Sequence, residues 1–447
     1  MTIDLERTPL LTDLYELTML QTYYEHGMTE PAVFEMFMRH SRQRGFYVAA
    51  GLEQALDWLS NLCFQPEELQ WMRQSNLFSN DFIERMAQFR FTGEVRALPE
   101  GTVFFAEEPL VQIVAPLPEA QLIESRLMNI LHYQTLIASK AARSTIAAGK
   151  TPIVDFGMRR AHGGEAGLWA ARACYIAGFT ATATCLASAR YGIPATGTMA
   201  HAFILAHDSE TEAFERFARS HPNNVVLLID TYDVHRGAQR VVEVAARLAR
   251  DGIDVQGVRI DSGDLARNAR TTREILDRGG LTDTRILVSG GLDEYRIATL
   301  MAEQAPIDGV GVGSNVDTSA DAPFLDSAYK LHYFRDQPRG KHAEGKTDLP
   351  GRKQIYRHYN QSTWQSDTLG LLDEDINGKP LLETVMQAGK QVTKPDVNQL
   401  QAARAHFAEE LVTLPAKLKQ IQNPEPYSVE LSSGLEALRA QLKKSTH

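Results

Sequence analysis

The stretch Thr151-Pro-Ile-Val-Asp-Phe-Gly-Met-Arg159 sets the pattern for the middle of the chain. Its short apolar run is typical of a buried strand, and the run ends in an acid, an aromatic ring and an arginine. A helical pattern follows, and a second apolar run leads through a glycine turn to His201. Parallel α/β proteins bring polar groups to one rim in this way, at the carboxyl ends of their strands. The stretch therefore predicts a ligand-binding rim on a parallel α/β domain.

Strand and helix patterns continue to alternate beyond this stretch. The strand candidates are residues 153–156, 180–186, 195–199, 225–229, 255–260, 285–288 and 309–312. Helical patterns lie between most of them, at residues 165–177, 209–220, 238–250, 265–277 and 293–304. The strands are short and apolar, as strands buried on both faces should be. Six or seven such units favour an irregular (β/α) barrel that need not be complete, and a doubly wound open sheet is the alternative.

The segments on either side of the barrel pattern predict a second domain. Residues 30–115 read as α+β with a small antiparallel sheet, and further strand and helix patterns follow after residue 325. We expect these later strands to join the N-terminal sheet. The predicted division is an α+β domain at 1–125, a barrel at 126–334, and a segment at 335–447 that packs on the N-terminal domain and contributes to it.

Composition narrows the class of protein. The chain has 447 residues, is 43% hydrophobic and carries a formal net charge of -10, which argues against a broad nucleic-acid-binding face. No run approaches the ~20 apolar residues of a transmembrane helix, and we expect no secretory signal and no membrane association. Three cysteines without C-x-x-C spacing fit a reduced cytoplasmic protein, and each is expected to be a small core residue.

Two glycine clusters follow the last two predicted strands. They are Ser289-Gly-Gly291, which begins a helix, and Gly309-Val-Gly311-Val-Gly313-Ser314. Backbone N–H groups at a helix N-terminus bind phosphate, and barrels often build phosphate sites from their last two βα loops. Turns that require positive φ are the structural alternative. Together the clusters predict a phosphate site.

Acidic and basic residues complete the predicted rim. The ends of the predicted strands carry Asp230, Arg259, Asp261 and Asp264. Carboxylates there suit sugar hydroxyls or Mg²⁺, and a guanidinium suits an anion. Helix capping is the alternative for Asp264, and a satisfied loop histidine is the alternative for His201. A second pair, Lys140 and Arg143, shares a helix face that either binds an anion or is simply solvated.

Six segments, taken in order, resemble the nicotinate phosphoribosyltransferases. They are residues 12–19, 48–54, 155–162, 197–201, 258–265 and 289–294. The resemblance implies a type II phosphoribosyltransferase fold, with an irregular α/β barrel and a domain built from both termini. It implies an enzyme that joins nicotinate to 5-phosphoribosyl 1-pyrophosphate (PRPP), giving nicotinate mononucleotide and pyrophosphate. It also implies ATP hydrolysis through a phosphohistidine, Mg²⁺, a homodimer with shared active sites, and a place in NAD salvage.

The resemblance carries roles to individual residues. His201 matches the phosphorylated histidine, and it forms the catalytic group with Asp230 and Arg259. Phe156 and Tyr15 match the rings that sandwich the pyridine, with Tyr15 supplied by the neighbouring subunit. The other substrate contacts that it implies are Arg159 and Ala183 for nicotinate, Asp261 and Asp264 for the ribose, Lys140 and Arg143 for the pyrophosphate, and Ser289, Gly290, Gly291, Gly311, Gly313 and Ser314 for the 5′-phosphate.

Ala183 favours nicotinate over nicotinamide as the substrate. Relatives that use the amide have an aspartate at the matching position, and an acid there would repel a carboxylate. The loop at 39–45 departs from the family pattern, because a proline is expected there. The rival functions are a nicotinamide-specific transferase, a phosphosugar aldolase or isomerase on a similar barrel, and a ligand sensor without catalysis. An aldolase would need a lysine or an acid–base pair at a strand end, and no lysine stands there.

Overall fold

The computed structural model describes Asp4 and residues 7–343, 346–347, 349–361, 363–392 and 398–445. The chain forms two compact units. One contains residues 140–323, and the other is built from residues 1–139 and 324–447. The second unit is therefore discontinuous in sequence.

The unit at 140–323 is built on a curled parallel sheet. In spatial order its strands are Ala181–Thr182, Ile153–Asp155, Gly309–Val312, Arg285–Val288, Gly257–Ile260 and Val226–Leu228. The first strand along the chain pairs with the last, as strands do in a barrel and do not in a doubly wound sheet. This order confirms the predicted irregular (β/α) barrel.

One predicted barrel strand is wrong. Residues 195–199 form only one parallel β-bridge, between Ala195 and Thr182, and do not extend it into a strand. Glycine at position 197 has no side chain to pack, and this weakens a strand. The predicted strand at 180–186 is also too long, because a helix begins at Cys185. The Cys185 side chain is exposed, so its expected place in a core is wrong, whereas Cys174 is buried and Cys63 is partly buried.

Helices connect the barrel strands close to their predicted positions. They are Gly164–Ile176, Cys185–Tyr191, His201–Leu205, Glu210–Ser220, Val234–Leu248, Leu265–Arg278, Glu294–Ala302 and Ser314–Asp317, with 3-10 turns at Met158–Arg160 and Ala249–Asp251. Aspartate and serine N-caps begin several of them: the side chains of Ser209, Asp233, Asp264 and Asp293 accept hydrogen bonds from backbone N–H groups of the first turn.

The discontinuous unit contains a seven-stranded sheet. Its order is Gln337–Pro338, Ser327–Phe334, Pro31–Met38, Pro109–Pro116, Glu94–Ala97, Glu383–Gln387 and Lys390–Gln391. Ser327–Phe334 and Glu383–Gln387 therefore join the N-terminal strands as expected. Other C-terminal strands form a separate sheet, in the order Lys379–Pro380, Lys353–Asn360, Thr363–Leu371 and Val429–Leu431. Two further pairs are Tyr47–Val48 with Val103–Phe104, and His342–Ala343 with Lys346–Thr347.

The helices that begin in this unit are mostly short. They are Leu14–Glu25, Leu52–Asn61, Pro66–Ser75, Asn80–Ala87, Leu117–Leu122, Gln399–Thr413 and Ser433–Ser445, with a 3-10 turn at Ala416–Lys419. The longest helix, Glu124–Ala148, contains the division between Ser139 and Lys140. Among the described residues, no helix is both long enough and apolar enough to cross a membrane.

A buried charge cluster lies on the strand Pro31–Met38 of the seven-stranded sheet. The carboxylate of Glu35 is fully buried and lies 2.6 Å from Lys353 Nζ and 2.9 Å from His332 Nδ1. Burial alone would raise the pKa of Glu35, but Lys353 and His332 outweigh it and lower the pKa to about 2. Both partners come from the C-terminal segment, so this segment is part of the unit's core.

Candidate active site

A cavity of about 480 Å³ opens at the carboxyl ends of the parallel strands. Its volume suits a nucleotide-sized ligand. Twelve of the predicted site residues line it: Phe156, Arg159, Ala183, His201, Arg259, Asp261, Ser289, Gly290, Gly291, Gly311, Gly313 and Ser314. The structure therefore brings together residues that are far apart in sequence.

The ring of Phe156 forms one wall of the cavity. Its backbone N–H donates to Val312 O at 2.7 Å, so the residue continues the edge of the strand pair. A Cβ atom on Gly311 would lie 2.5 Å from two atoms of the Phe156 ring, and one on Gly313 would lie 2.9 Å from its carbonyl oxygen. These glycines are needed for close packing as well as for any phosphate contact.

A buried acid supports this wall from below. Asp155 accepts hydrogen bonds from Gly157 N at 2.8 Å and from Thr182 Oγ1 at 2.7 Å. Asp317 lies against the same turn, since a Cβ on Gly157 would meet its carboxyl group at 2.1 Å. Burial raises the pKa of both carboxyls, and repulsion from Asp155 raises the pKa of Asp317 further. We conclude that Asp317 holds the proton, because Asp155 already accepts two hydrogen bonds.

Ala183 lies beside Phe156 on the next strand end. Its backbone N–H donates to Asp155 O at 2.9 Å, and the residue lines the cavity. The neighbouring Thr184 N–H donates to the Thr182 hydroxyl at 3.0 Å, which in turn donates to Asp155. The carboxyl group of Asp155 therefore holds both the aromatic wall and the Ala183 strand end.

His201 begins a short helix at the rim, and its side chain is 39% exposed. Its Nδ1 lies 3.1 Å from Thr231 Oγ1, and its Nε2 lies 3.9 Å from Asp261 Oδ2. A hydroxyl beside one ring nitrogen and a carboxylate near the other orient the ring. The imidazole is thus accessible and oriented, as a phosphoryl-accepting histidine would need to be.

Arg259 crosses the floor of the cavity. Its guanidinium donates to Thr198 Oγ1 at 2.9 Å and to Met199 O at 3.0 Å, and its Cζ lies 6.0 Å from the centre of the Phe156 ring. Burial lowers the pKa of Arg259, whereas Asp261 and Asp230 raise it, and the group stays charged at neutral pH. The residue therefore supplies a fixed positive charge beside the aromatic wall.

Four polar side chains link the central strand ends. Asp230 Oδ2 accepts from Asp261 N at 2.9 Å and from Ser262 Oγ at 2.6 Å. The Ser289 hydroxyl donates to Asp261 Oδ1. Asp230 Oδ1 is buried and has no hydrogen-bond partner within the described part of the chain. This oxygen and the second oxygen of Asp261 remain for sugar hydroxyls or hydrated cations.

The loop after Ser289 has the backbone of an anion site. Gly290 and Gly291 have φ angles of +97° and +61°, and a Cβ on Gly290 would meet Asp261 O at 1.8 Å. Arg296 Nη1 donates to Gly291 O at 3.0 Å, and Asn315 Nδ2 donates to the same oxygen at 3.2 Å. Gly290 and Gly291 are thus required by the turn, and this requirement is compatible with a phosphate site in the same loop.

Sequence reasoning missed the residues that hold this loop. Arg296 and Asn315 bind its carbonyl oxygens. Elsewhere in the site, Thr198 orients Arg259 and Thr231 orients His201. The only available signal was position, because Asn315 follows Ser314 after a strand, and Thr231 follows Asp230.

Five predicted site residues do not line the cavity: Asp230 holds the Asp261 backbone as described above, and the other four lie elsewhere. Asp264 caps the helix Leu265–Arg278 by accepting from Arg267 N at 3.0 Å, as the capping alternative predicts. Lys140 and Arg143 are buried in ion pairs with Glu294, at 2.6 and 2.8 Å. Tyr15 lies in the discontinuous unit and is 47% exposed. The roles that the resemblance implies for these four stay predictions.

Within the described ranges, no group of three or more His, Cys, Asp or Glu side chains is arranged to hold a metal ion. Mg²⁺ in phosphate-transfer sites is usually held by one or two carboxylates together with substrate phosphates and water. Asp230 Oδ1 and Asp261 Oδ2 fit that smaller contribution. A divalent cation that arrives with its phosphate ligand is therefore compatible with this site.

Family sequence profiles match most of the chain. Residues 10–132 match the nicotinate phosphoribosyltransferase (NAPRTase) N-terminal domain, residues 151–320 match the NAPRTase family, and residues 361–439 match the NAPRTase C-terminal domain. These segments include every site residue predicted above except Lys140 and Arg143.

Similar proteins carry the same name. The chain is 44% identical to the nicotinate phosphoribosyltransferase pncB2 of Mycobacterium tuberculosis, over 97% of this chain and 94% of that protein. It is 37% identical to the nicotinate phosphoribosyltransferase of Bacillus subtilis, over 95% of this chain and 92% of that protein. The crystal structure of human nicotinic acid phosphoribosyltransferase superposes with a TM-score of 0.86 at 27% identity, covering 97% of this chain and 100% of the human one.

Proposed function

The chain belongs to the nicotinate phosphoribosyltransferase family, and we propose that it joins nicotinate to PRPP, giving nicotinate mononucleotide and pyrophosphate. The observation that carries the proposal is the shared cavity, in which an aromatic wall with two arginines meets the glycine loops. The wall suits a planar carboxylate, and the loops suit a phosphate. A phosphoribosyl acceptor and its donor therefore both find complementary groups there.

The reaction needs positioning more than proton transfer. The pyridine nitrogen of nicotinate is already a nucleophile, and it attacks the anomeric carbon as pyrophosphate leaves. Positive charge develops on the ribose in this step, so nearby carboxylates stabilise it. We assign that role to Asp261 and to Asp230, which is hydrogen-bonded to the Asp261 backbone, and we assign the alignment of the ring to Phe156 and Arg259. No deprotonating residue is required.

We propose that ATP drives the reaction through phosphorylation of His201. The accessible imidazole takes the γ-phosphoryl group, ADP leaves, and water later removes the phosphoryl group, so that one ATP is hydrolysed. The oriented ring supports this role. Asp230 and Asp261 would hold Mg²⁺, which would neutralise phosphate charge at this site. The resemblance to the family motivates both proposals.

The wider setting is also part of the proposal. We propose a cytoplasmic homodimer in which Tyr15 of one subunit completes the ring sandwich of the other, with the product entering NAD salvage. Tyr15 is a large exposed ring, which supports a role at a subunit contact. Crosslinking or sedimentation of the intact chain, with Tyr15→Ala as the variant, tests the shared site.

Pyrophosphate release from PRPP is the decisive assay. It is measured with nicotinate or with nicotinamide, each with and without ATP. The proposal expects release with nicotinate and stimulation by ATP. Preference for nicotinamide would favour the amide-specific transferase instead. Tight binding of nicotinate mononucleotide without any release would favour a sensor. An aldolase is disfavoured because, within the described part of the chain, no lysine lines the cavity.

A further inference from the structure

One buried lysine is tied to both phosphate loops. Lys140 Nζ lies 2.6 Å from Glu294 Oε2 and 2.7 Å from Asp321 Oδ1. Glu294 is the first residue of the helix that follows the Gly290–Gly291 loop, and Asp321 follows the short helix Ser314–Asp317. The Lys140 side chain is 2% exposed, and that of Glu294 is 0% exposed. A single ammonium group therefore links the elements that come after each glycine cluster.

The second oxygen of Glu294 is held as well. Arg143 Nε lies 2.8 Å from Glu294 Oε1, and Arg143 Nη2 donates to Tyr295 OH at 3.0 Å. Each carboxylate oxygen thus has its own cation, and the first turn of the helix cannot shift without breaking a buried ion pair. Breaking such a pair is costly because it leaves an uncompensated charge in the interior.

The loops are tied on the cavity side too. Asn315 donates to Gly291 O and Leu292 O, so the second loop's helix holds the carbonyl groups of the first loop. The strands that carry the loops are paired, and a Cβ on Gly311 would lie 3.2 Å from Ser289 Cβ. Lys140 links the two loops from the buried side, and Asn315 links them from the cavity side. Together these contacts set the separation of the loops.

We infer that Lys140 is a positioning residue that holds the two glycine loops at the spacing required for the 5′-phosphate, acting through Glu294 and Asp321. The inference rests on the proposed function for the identity of that phosphate. It differs from a direct contact with pyrophosphate, because the ammonium group is paired with the carboxylates of Glu294 and Asp321 and the side chain is buried.

Calorimetry with two ligands separates these roles. Nicotinate mononucleotide carries the 5′-phosphate without pyrophosphate, and pyrophosphate lacks the 5′-phosphate. Lys140→Met is expected to raise the Kd for nicotinate mononucleotide about tenfold and to change that for pyrophosphate less than about twofold. The exposed Lys150→Met is the matched control and should change neither.

A second variant protects the test against misfolding. Lys140→Met combined with Asp321→Asn removes one positive and one negative charge, leaves the Arg143–Glu294 pair in place, and should give the same selective loss. Weaker pyrophosphate binding alone, equal weakening of both ligands, or no change in either would each overturn the inference. If the wild-type chain fails to bind nicotinate mononucleotide, the proposed function fails instead. Ribose 5-phosphate then replaces it as the probe for the same variants.

Discussion

The ring of Phe156 occupies the space that a side chain on Gly311 would need. A Cβ at position 311 would lie 2.5 Å from the Cδ2 and Cε2 atoms of the ring. Phe156 directly follows the strand Ile153–Asp155, and Gly311 lies on the paired strand Gly309–Val312. The aromatic wall and the second glycine loop therefore share one packing constraint.

Gly311→Ala tests that constraint. The added methyl group must push the Phe156 ring towards the cavity, and we expect the KM for nicotinate to rise about tenfold. Overpacking of this kind also destabilises a fold by about 1–3 kcal/mol, so thermal denaturation should be measured alongside the kinetics. Gly164→Ala is the control, since nothing lies within 4 Å of its Cβ. An unchanged KM would show that the ring does not bind nicotinate.

Ala183→Asp should reverse the choice of substrate. A carboxylate at this strand end would repel nicotinate and could accept a hydrogen bond from an amide. We expect kcat/KM for nicotinate to fall at least about tenfold, while turnover of nicotinamide rises. Ala183→Asn has nearly the same shape without the charge and should lose much less. Equal losses for the two variants would mean that size, and not charge, decides.

His201→Ala should separate transfer from ATP use. The variant is expected to lose stimulation by ATP and to keep some uncoupled pyrophosphate release. His207→Ala is the matched control, because His207 lies just beyond the same helix with its Nδ1 2.7 Å from Phe203 O. Radiolabel transfer from γ-labelled ATP to protein should disappear only in the first variant. Full ATP stimulation of His201→Ala would refute the phosphohistidine.

Glu16 predicts a pH-dependent stability. Burial, with the nearby charge of Glu124, raises its pKa from 4.5 to about 7, although Gln121 donates a hydrogen bond to it at 2.8 Å. The folded state therefore holds this proton more tightly than the unfolded chain, and stability falls as pH rises from about 4.5 to about 7.

Glu16→Gln removes that titration and keeps an acceptor for Gln121. We expect it to stabilise the protein by about 1–3 kcal/mol at pH 8, with a much smaller gain at pH 5. Thermal denaturation at the two pH values provides the measurement. Glu25→Gln, an exposed site on the same helix, is the control. The same gain at both pH values would contradict the raised pKa.

Local sequence patterns predicted the residues that line the cavity, but they did not predict the distant residues that hold the neighbouring elements in place. Phe156 and Ser289 were identifiable because short apolar strands end directly before them, and strand ends of a barrel share a rim. Lys140 and Arg143 were placed on one helix face correctly, yet spacing cannot reveal that Glu294, 151 positions beyond Arg143, meets that face. Contacts between residues so far apart in sequence are determined by the fold, and the periodicity of the sequence does not predict them.

The failed strand at 195–199 has a different cause. Its residues look extended and apolar in isolation, but only Ala195 finds a neighbouring strand. The following residues serve other groups instead: Thr198 and Met199 accept hydrogen bonds from Arg259. The carbonyl oxygen of Met199 therefore binds Arg259 and not a neighbouring strand, and sequence patterns do not distinguish the two uses.

The discontinuous unit has a consequence for synthesis on the ribosome. The strand Pro31–Met38 emerges early, but its neighbour Ser327–Phe334 is made some 300 residues later, as are Lys353 and His332, the two partners of Glu35. At about 5–20 residues per second, that strand waits for tens of seconds with one edge unpaired. The contiguous barrel segment leaves the ribosome during this interval. We therefore expect barrel folding to precede closure of the sheet, and the nascent N-terminal segment to be the part that chaperones must shield.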